Sequence, residues 1–198
     1  MKKYLLLFLF TILFLAPQPS KADTFGYTTA GASSDNWNGD EFYGSLFTSG
    51  SAGDITSISQ YVKTTSDVTN YKSIVVLHSN LNIITNGISP ATVTIWNGAN
   101  PQWETATYTT SPSITASTEY ILGNISNTSD FYRYYDTGSA NQEHEDTTNS
   151  YTSPTNPTDA THGGNFPSTA KFSIYASYSA GEPPAEEDRR VLSPIMFD

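Results

Sequence analysis

The densest run of groups able to do chemistry is Glu143-His144-Glu145-Asp146, with His162 eighteen residues further on. A metal site built here would use His144 and one or two of the carboxylates, with His162 in support. On an extended chain neighbouring side chains point to opposite sides, so Glu143 and Glu145 converge while His144 turns away from them. The run therefore reads as a solvated acidic loop, and no metal ligand is assigned. Glu41, Glu104 and Glu119 are the acids on strand-like segments. A glycosidase needs two such acids at a fixed separation across a cleft, and nothing in their spacing selects a pair. His78 follows Val75-Val76-Leu77 and reads as a strand-end histidine rather than a base. Ser34-Asp35-Asn36-Trp37-Asn38-Gly39-Asp40 has the oxygen density of a Ca²⁺ loop but not its alternating register or distant Glu. It reads as a turn whose Asn and Asp tolerate tight backbone. No nucleophile elbow, zinc-protease helix or phosphate loop is present, so the chain is expected to be neither an enzyme nor a cofactor binder.

The expected ligand surface is Phe131-Tyr132-Arg133-Tyr134-Tyr135-Asp136. In a strand, Phe131, Arg133 and Tyr135 share one face, and Tyr132, Tyr134 and Asp136 the other. A guanidinium is almost never fully buried without a partner, so the Arg133 face is expected to reach solvent, with Phe131 and Tyr135 as flanking aromatic surfaces. Tyr132 and Tyr134 would then pack inward. Trp37 is the next candidate for ligand contact. Trp96 and Trp103 are expected in the core.

The elements that must hold these residues are strands. After residue 22 apolar residues do not recur at helical spacing. Short β-branched and aromatic runs alternate instead with Gly, Ser, Asn and Pro clusters. The runs are 24–29, 41–48, 55–63, 72–79, 91–96, 103–110, 119–125, 131–136 and 171–178. Phe172, Ile174, Ala176 and Tyr178 alternate with polar neighbours, which marks a strand with one buried face. Ile74-Val75-Val76-Leu77 has no alternation and reads as a central strand covered on both faces. The expected fold is all-β, an antiparallel β-sandwich of jelly-roll type. Residues 137–169 stand out as one long irregular stretch.

The 198 residues carry 9 Lys and Arg against 19 Asp and Glu, with no Cys. A net charge of −10 argues against nucleic acid as a partner, because phosphate neutralisation needs clustered cations. Disulfides and thiolate metal sites are impossible. Met1-Lys2-Lys3, the apolar run Tyr4 to Ala16 and Ser20-Lys21-Ala22 have the three-part form of a secretory signal peptide. The apolar run is too short for a spanning helix. Residues 1–22 are therefore read as a cleaved signal peptide, 23–180 as a secreted β-sandwich domain and 181–198 as an acidic linker with a C-terminal tail. No membrane association is expected after cleavage.

Thr24-Phe25-Gly26, Gly53-Asp54-Ile55-Thr56-Ser57-Ile58-Ser59-Gln60-Tyr61-Val62, Trp103, Ile114-Thr115-Ala116-Ser117-Thr118-Glu119-Tyr120-Ile121-Leu122-Gly123, Tyr132-Arg133-Tyr134-Tyr135-Asp136 and Phe172-Ser173-Ile174-Tyr175-Ala176-Ser177-Tyr178 fall in a familiar order. Over residues 24–180 the chain resembles the jelly-roll β-sandwich accessory modules, carbohydrate-binding-like, of secreted or surface bacterial and phage-like proteins. Ser117 stands where the corresponding turn of such modules carries glycine. The resemblance implies no catalytic residues. The resulting expectation is a secreted, extracellular, non-catalytic module binding a glycan or another cell-surface ligand. The alternative is a structural subunit of an extracellular or phage-like array that self-associates through residues 189–197.

Overall fold

A computed structural model describes residues 22–36, 38–65, 68–89, 93–96, 100–157 and 162–180. The signal segment, Trp37 and the tail 181–198 lie outside the described residues, and so does the side chain of Trp96. The strands are β1 (Ala22–Gly26), β2 (Ser33–Asp35), β3 (Phe42–Thr48), β4 (Gly53–Thr64), β5 (Val68–Leu77), β6 (Asn82–Ile88) and β7 (Val93–Trp96). They continue with β8 (Gln102–Thr107), β9 (Ser113–Ile114), β10 (Glu119–Ser126), β11 (Phe131–Thr137), β12 (Glu143–Asp146), β13 (Ala170–Phe172) and β14 (Ile174–Ala180). Among the described residues there is no helix.

The strands form two antiparallel sheets. One runs β1-β14-β4-β11-β13, with β2 on β11 and with β8 and β9 on β4. The other runs β12-β3-β10-β5-β6, with β7 on β5. The two pack face to face over a core that includes Phe25, Ile55, Ile58 and Tyr178 from the first sheet and Tyr43, Val75, Tyr120 and Leu122 from the second. The architecture is thus an all-β sandwich, closed by the pairing of its first strand with its last, Phe25 opposite Ala176.

The uninterrupted apolar run in β5 has the double cover its sequence implies. Val75 faces the inter-sheet core, while Ile74 and Val76 join Phe42, Ile121 and Ile125 in a second cluster, with Tyr151 packed over it. Alternation holds in β14, where Ile174, Ala176 and Tyr178 are buried between half-exposed Tyr175 and Ser177. Four strands, β2, β6, β9 and β12, lie outside the runs expected from the sequence. Residues 82–88 pair with β5 as a full strand although Asn82, Asn86 and Gly87 are poor strand formers; the exposed edge of β5 recruits them. The stretch 137–169 is not uniformly irregular, because Glu143–Asp146 add to the edge of β3.

Two facing glycines set how closely β3 and β10 run. Gly44 lies opposite Gly123, and a Cβ on Gly123 would come within 2.5 Å of the Phe42 ring and of the Tyr43 carbonyl oxygen. Alternation along β3 places Phe42 and Tyr43 on opposite faces of the strand, one in each apolar cluster.

Candidate functional site

The long strand β4 organises the outer face of the first sheet. Its residues 57–60 pair with β8 and also with β14, which therefore lie along opposite edges, and β11 takes over where β14 ends. Tyr61 sits directly opposite Trp103 of β8. Alternation then points Tyr61, Trp103, Tyr132, Tyr134 and Tyr175 to one side of the sheet, away from the core. All five are half-exposed. Four of the rings form a continuous set, with Tyr132 further along the same face of β11: Tyr61 to Trp103 is 5.4 Å between centroids, Tyr61 to Tyr134 is 5.1 Å, and Trp103 to Tyr175 is 5.2 Å. The planes are inclined at 48°, 68° and 62°, so the surface is faceted rather than flat.

Polar groups flank the rings. Lys63 places its Nζ 4.8 Å from the centre of Tyr132. At the other end of β11, Lys171 Nζ stands 3.9 Å from the centre of Tyr27. The Tyr27 hydroxyl donates to Asp136 Oδ2 at 2.6 Å, and the Ala32 N–H donates to Oδ1 at 2.9 Å. Those two hydrogen bonds, with a smaller contribution from Lys171, hold the Asp136 carboxyl below the usual carboxylate range. Ser59 and Thr105 share a hydroxyl–hydroxyl hydrogen bond of 2.8 Å beside Tyr61 and Trp103.

The register of β11 is the reverse of the sequence expectation. Phe131 and Arg133 are buried, at 0% and 2% exposure, whereas Tyr132 and Tyr134 reach the surface. Tyr135 is half-buried against the core, edge-on to Phe166 and Phe172. The premise that a guanidinium needs partners was sound; the partners exist inside. Arg133 Nε donates to Asn124 Oδ1 at 2.8 Å, and its terminal nitrogens make longer bonds to the Phe131 carbonyl and Ser126 Oγ. Its guanidinium also lies 4.6 Å from the Tyr43 ring centre and 4.8 Å from that of Phe131. Asn124 passes the network on to Gln60, and Tyr43 donates to Glu41. Burial pushes the Arg133 pKa down to about 10, with Tyr43 and Glu41 working against that shift. Arg133 is a structural cation. Trp103, expected in the core, is on the surface because its cross-strand partner Tyr61 faces outward. Trp37 lies outside the described residues.

The acidic run also departs from its reading. Glu143, His144, Glu145 and Asp146 are all buried, at 3% exposure or less, because the loops on either side fold over them. Gly163 N–H donates to Glu143 Oε2 at 3.0 Å and Asn165 N–H to Glu145 Oε2 at 2.8 Å. Asp146 Oδ1 accepts from the Thr148 backbone and hydroxyl. Desolvation, only partly offset by the Gly163 hydrogen bond, lifts Glu143 to about 8. Of the candidate acids, Glu41 is buried with Tyr43, and Glu119 is exposed beside His78. Asp35 belongs to β2, opposite Arg133, rather than to a calcium turn.

Five aromatic rings on one sheet face were missed individually, yet Tyr61, Tyr132, Tyr134 and Tyr175 each sit at alternate positions of a strand. For Tyr132 and Tyr134 the parity that faces out was the missing information, whereas Tyr175 lies on the outward face its strand pattern implies. No protein-family model matches the chain, and no curated protein is similar to it.

Proposed function

We propose that the protein is a secreted, non-catalytic glycan-binding module, and that the faceted surface of Tyr61, Trp103, Tyr132, Tyr134 and Tyr175 is where the sugar stacks. The contiguity of half-exposed Tyr61, Trp103, Tyr134 and Tyr175 carries the reading. Ordinary antiparallel sheets present polar side chains to water on their outer face, and a clustered apolar patch there marks an interaction site. Pyranose rings present C–H groups with slight positive charge, which match the negative face of an aromatic ring. Their hydroxyls need donors and acceptors nearby, and Lys63 and the exposed Thr105 supply them. Inclined rings favour a single, twisted oligosaccharide chain over a flat crystalline surface. The adjacency of the first and last strands in one sheet, with β3 and β10 paired in the other, supports a jelly-roll ordering of the sandwich.

Glycan-array screening of the purified chain, followed by titration calorimetry on the hits, tests this. Trp103→Ala and Tyr134→Ala are expected to weaken binding by about 1–2 kcal/mol each, the scale of one lost stacking contact plus its buried area. The thermal midpoint should move little, since neither ring is in the core. Arg133→Met should leave affinity unchanged in any molecules that fold. An array without hits, or hits insensitive to both aromatic substitutions, overturns the assignment.

A further inference from the structure

The chain contains three histidines, and the fold gathers all of them. His78 follows β5, His144 is in the edge strand β12, and His162 belongs to the loop that folds over β12. The His144 ring is 5.3 Å from that of His78 and 4.4 Å from that of His162, centroid to centroid. We propose that His78, His144 and His162 form a binding site for a borderline divalent cation of the Zn²⁺ type, on the sheet that does not carry the aromatic surface.

Three observations support it. The first is spacing. With Zn–N near 2.0–2.1 Å, two imidazoles on one ion have ring centres roughly 4.5–5.2 Å apart as the angle opens from right-angled to tetrahedral. The measured separations, 4.4 Å and 5.3 Å, fall just outside that range, one at each end. The second is tautomer. His78 Nδ1 pairs with Glu119 Oε2 at 3.0 Å, and His162 Nδ1 pairs with the Glu143 carbonyl oxygen. Since a carbonyl only accepts, His162 carries its proton on Nδ1 and its Nε2 lone pair is free. A carboxylate or backbone carbonyl on the second nitrogen is the outer-shell arrangement of metal-bound histidine. The third is an unmet need. His144 is 2% exposed, and neither of its ring nitrogens has a hydrogen-bond partner. Buried polar atoms are rarely left so.

Glu143 and Glu145 sit on the opposite side of β12 and take no part. As they stand, no three such groups among the described residues are already arranged to hold a metal ion. Closing the site needs rotation of the His144 ring, which no hydrogen bond opposes. His162 is exposed and His78 partly so, which leaves the ion a path in. Three imidazoles leave a fourth position for water.

The test is calorimetric titration of Zn²⁺ into the full chain, made without a histidine tag and stripped with chelator. The expected result is one ion per chain and a raised thermal midpoint. His78→Ala and His162→Ala, both at accessible positions, should each weaken that affinity by at least about 10-fold, and Glu119→Gln by about 10-fold through the outer shell. Circular dichroism of each metal-free variant establishes that it is folded, and His144→Phe serves as the buried-position variant if folded. Absence of a stoichiometric Zn²⁺ site, or an affinity unchanged in either alanine variant, overturns the proposal. Glycan binding is read separately, so the two readings fail independently.

Discussion

At the scale of single residues, Arg133 shows how a buried charge can be accommodated without an ion pair. Its guanidinium is held by an amide, a carbonyl, a hydroxyl and two ring faces. Arg133→Ala would leave Asn124 and Ser126 short of partners around a void, and is expected to cost about 3–5 kcal/mol in chemical denaturation. Arg133→Met, which fills the space, should cost less. Asp136 gives a pH-dependent counterpart. Its folded pKa is depressed by Tyr27 and Ala32, so its stabilising contribution is complete above the unfolded value of about 3.9. It is lost as pH falls through the folded value. Asp136→Asn should therefore lose less stability than the wild type between pH 5 and pH 2, as read by urea midpoints. Ser117 has a φ of 53°, a left-handed conformation that costs a non-glycine residue about 1 kcal/mol. Ser117→Gly is expected to stabilise by roughly 0.5 kcal/mol once the extra freedom of the unfolded chain is deducted.

The strand pair β3–β10 makes the corresponding point for elements. Its facing glycines allow an approach that any side chain would prevent. Gly123→Ala would drive its methyl into the Phe42 ring and the Tyr43 carbonyl. An expected loss of about 2–4 kcal/mol, at the upper end of overpacking costs, should appear as a lower thermal midpoint with cooperativity retained. Phe42 and Tyr43 serve different clusters, so both faces of that sheet would feel the change. The sequence readings for strands with strong apolar alternation were accurate, as β14 illustrates. They failed for β12, whose residues are polar, and for β6, where Asn82, Asn86 and Gly87 break up three isoleucines; both owe their strand state to an available sheet edge.

For the whole molecule, the pairing of β1 with β14 means that the sheet cannot be completed until both ends of the domain have been made. β14 also lies between β1 and β4, so its absence would expose Phe25, Ile55 and Ile58 together. A chain ending at residue 172 is expected to lack near-ultraviolet dichroism and a cooperative transition, while retaining collapsed β content. Long-range pairing of this kind also implies slow folding, on the millisecond-to-second scale or longer, measurable by stopped-flow tryptophan fluorescence.

Strand content, the two-sided burial of Ile74-Val75-Val76-Leu77 and the inward face of β14 were legible in the sequence, because each is a local pattern of apolar periodicity. Those patterns depend only on how side chains alternate along the backbone. The outward face of β11 was not legible, since Phe131/Arg133/Tyr135 and Tyr132/Tyr134/Asp136 are almost equally aromatic and each includes one charge. What chose between them was Asn124, Ser126 and Tyr43, which come from other strands and supply the inward-facing guanidinium with partners. The same holds for the histidines at 78, 144 and 162. Nothing in their spacing joins them, and the burial of Glu143–Asp146 arises only once residues 162–166 fold back over the sheet edge. Alternation is a property of the backbone, whereas the choice of face and the meeting of distant side chains belong to packing.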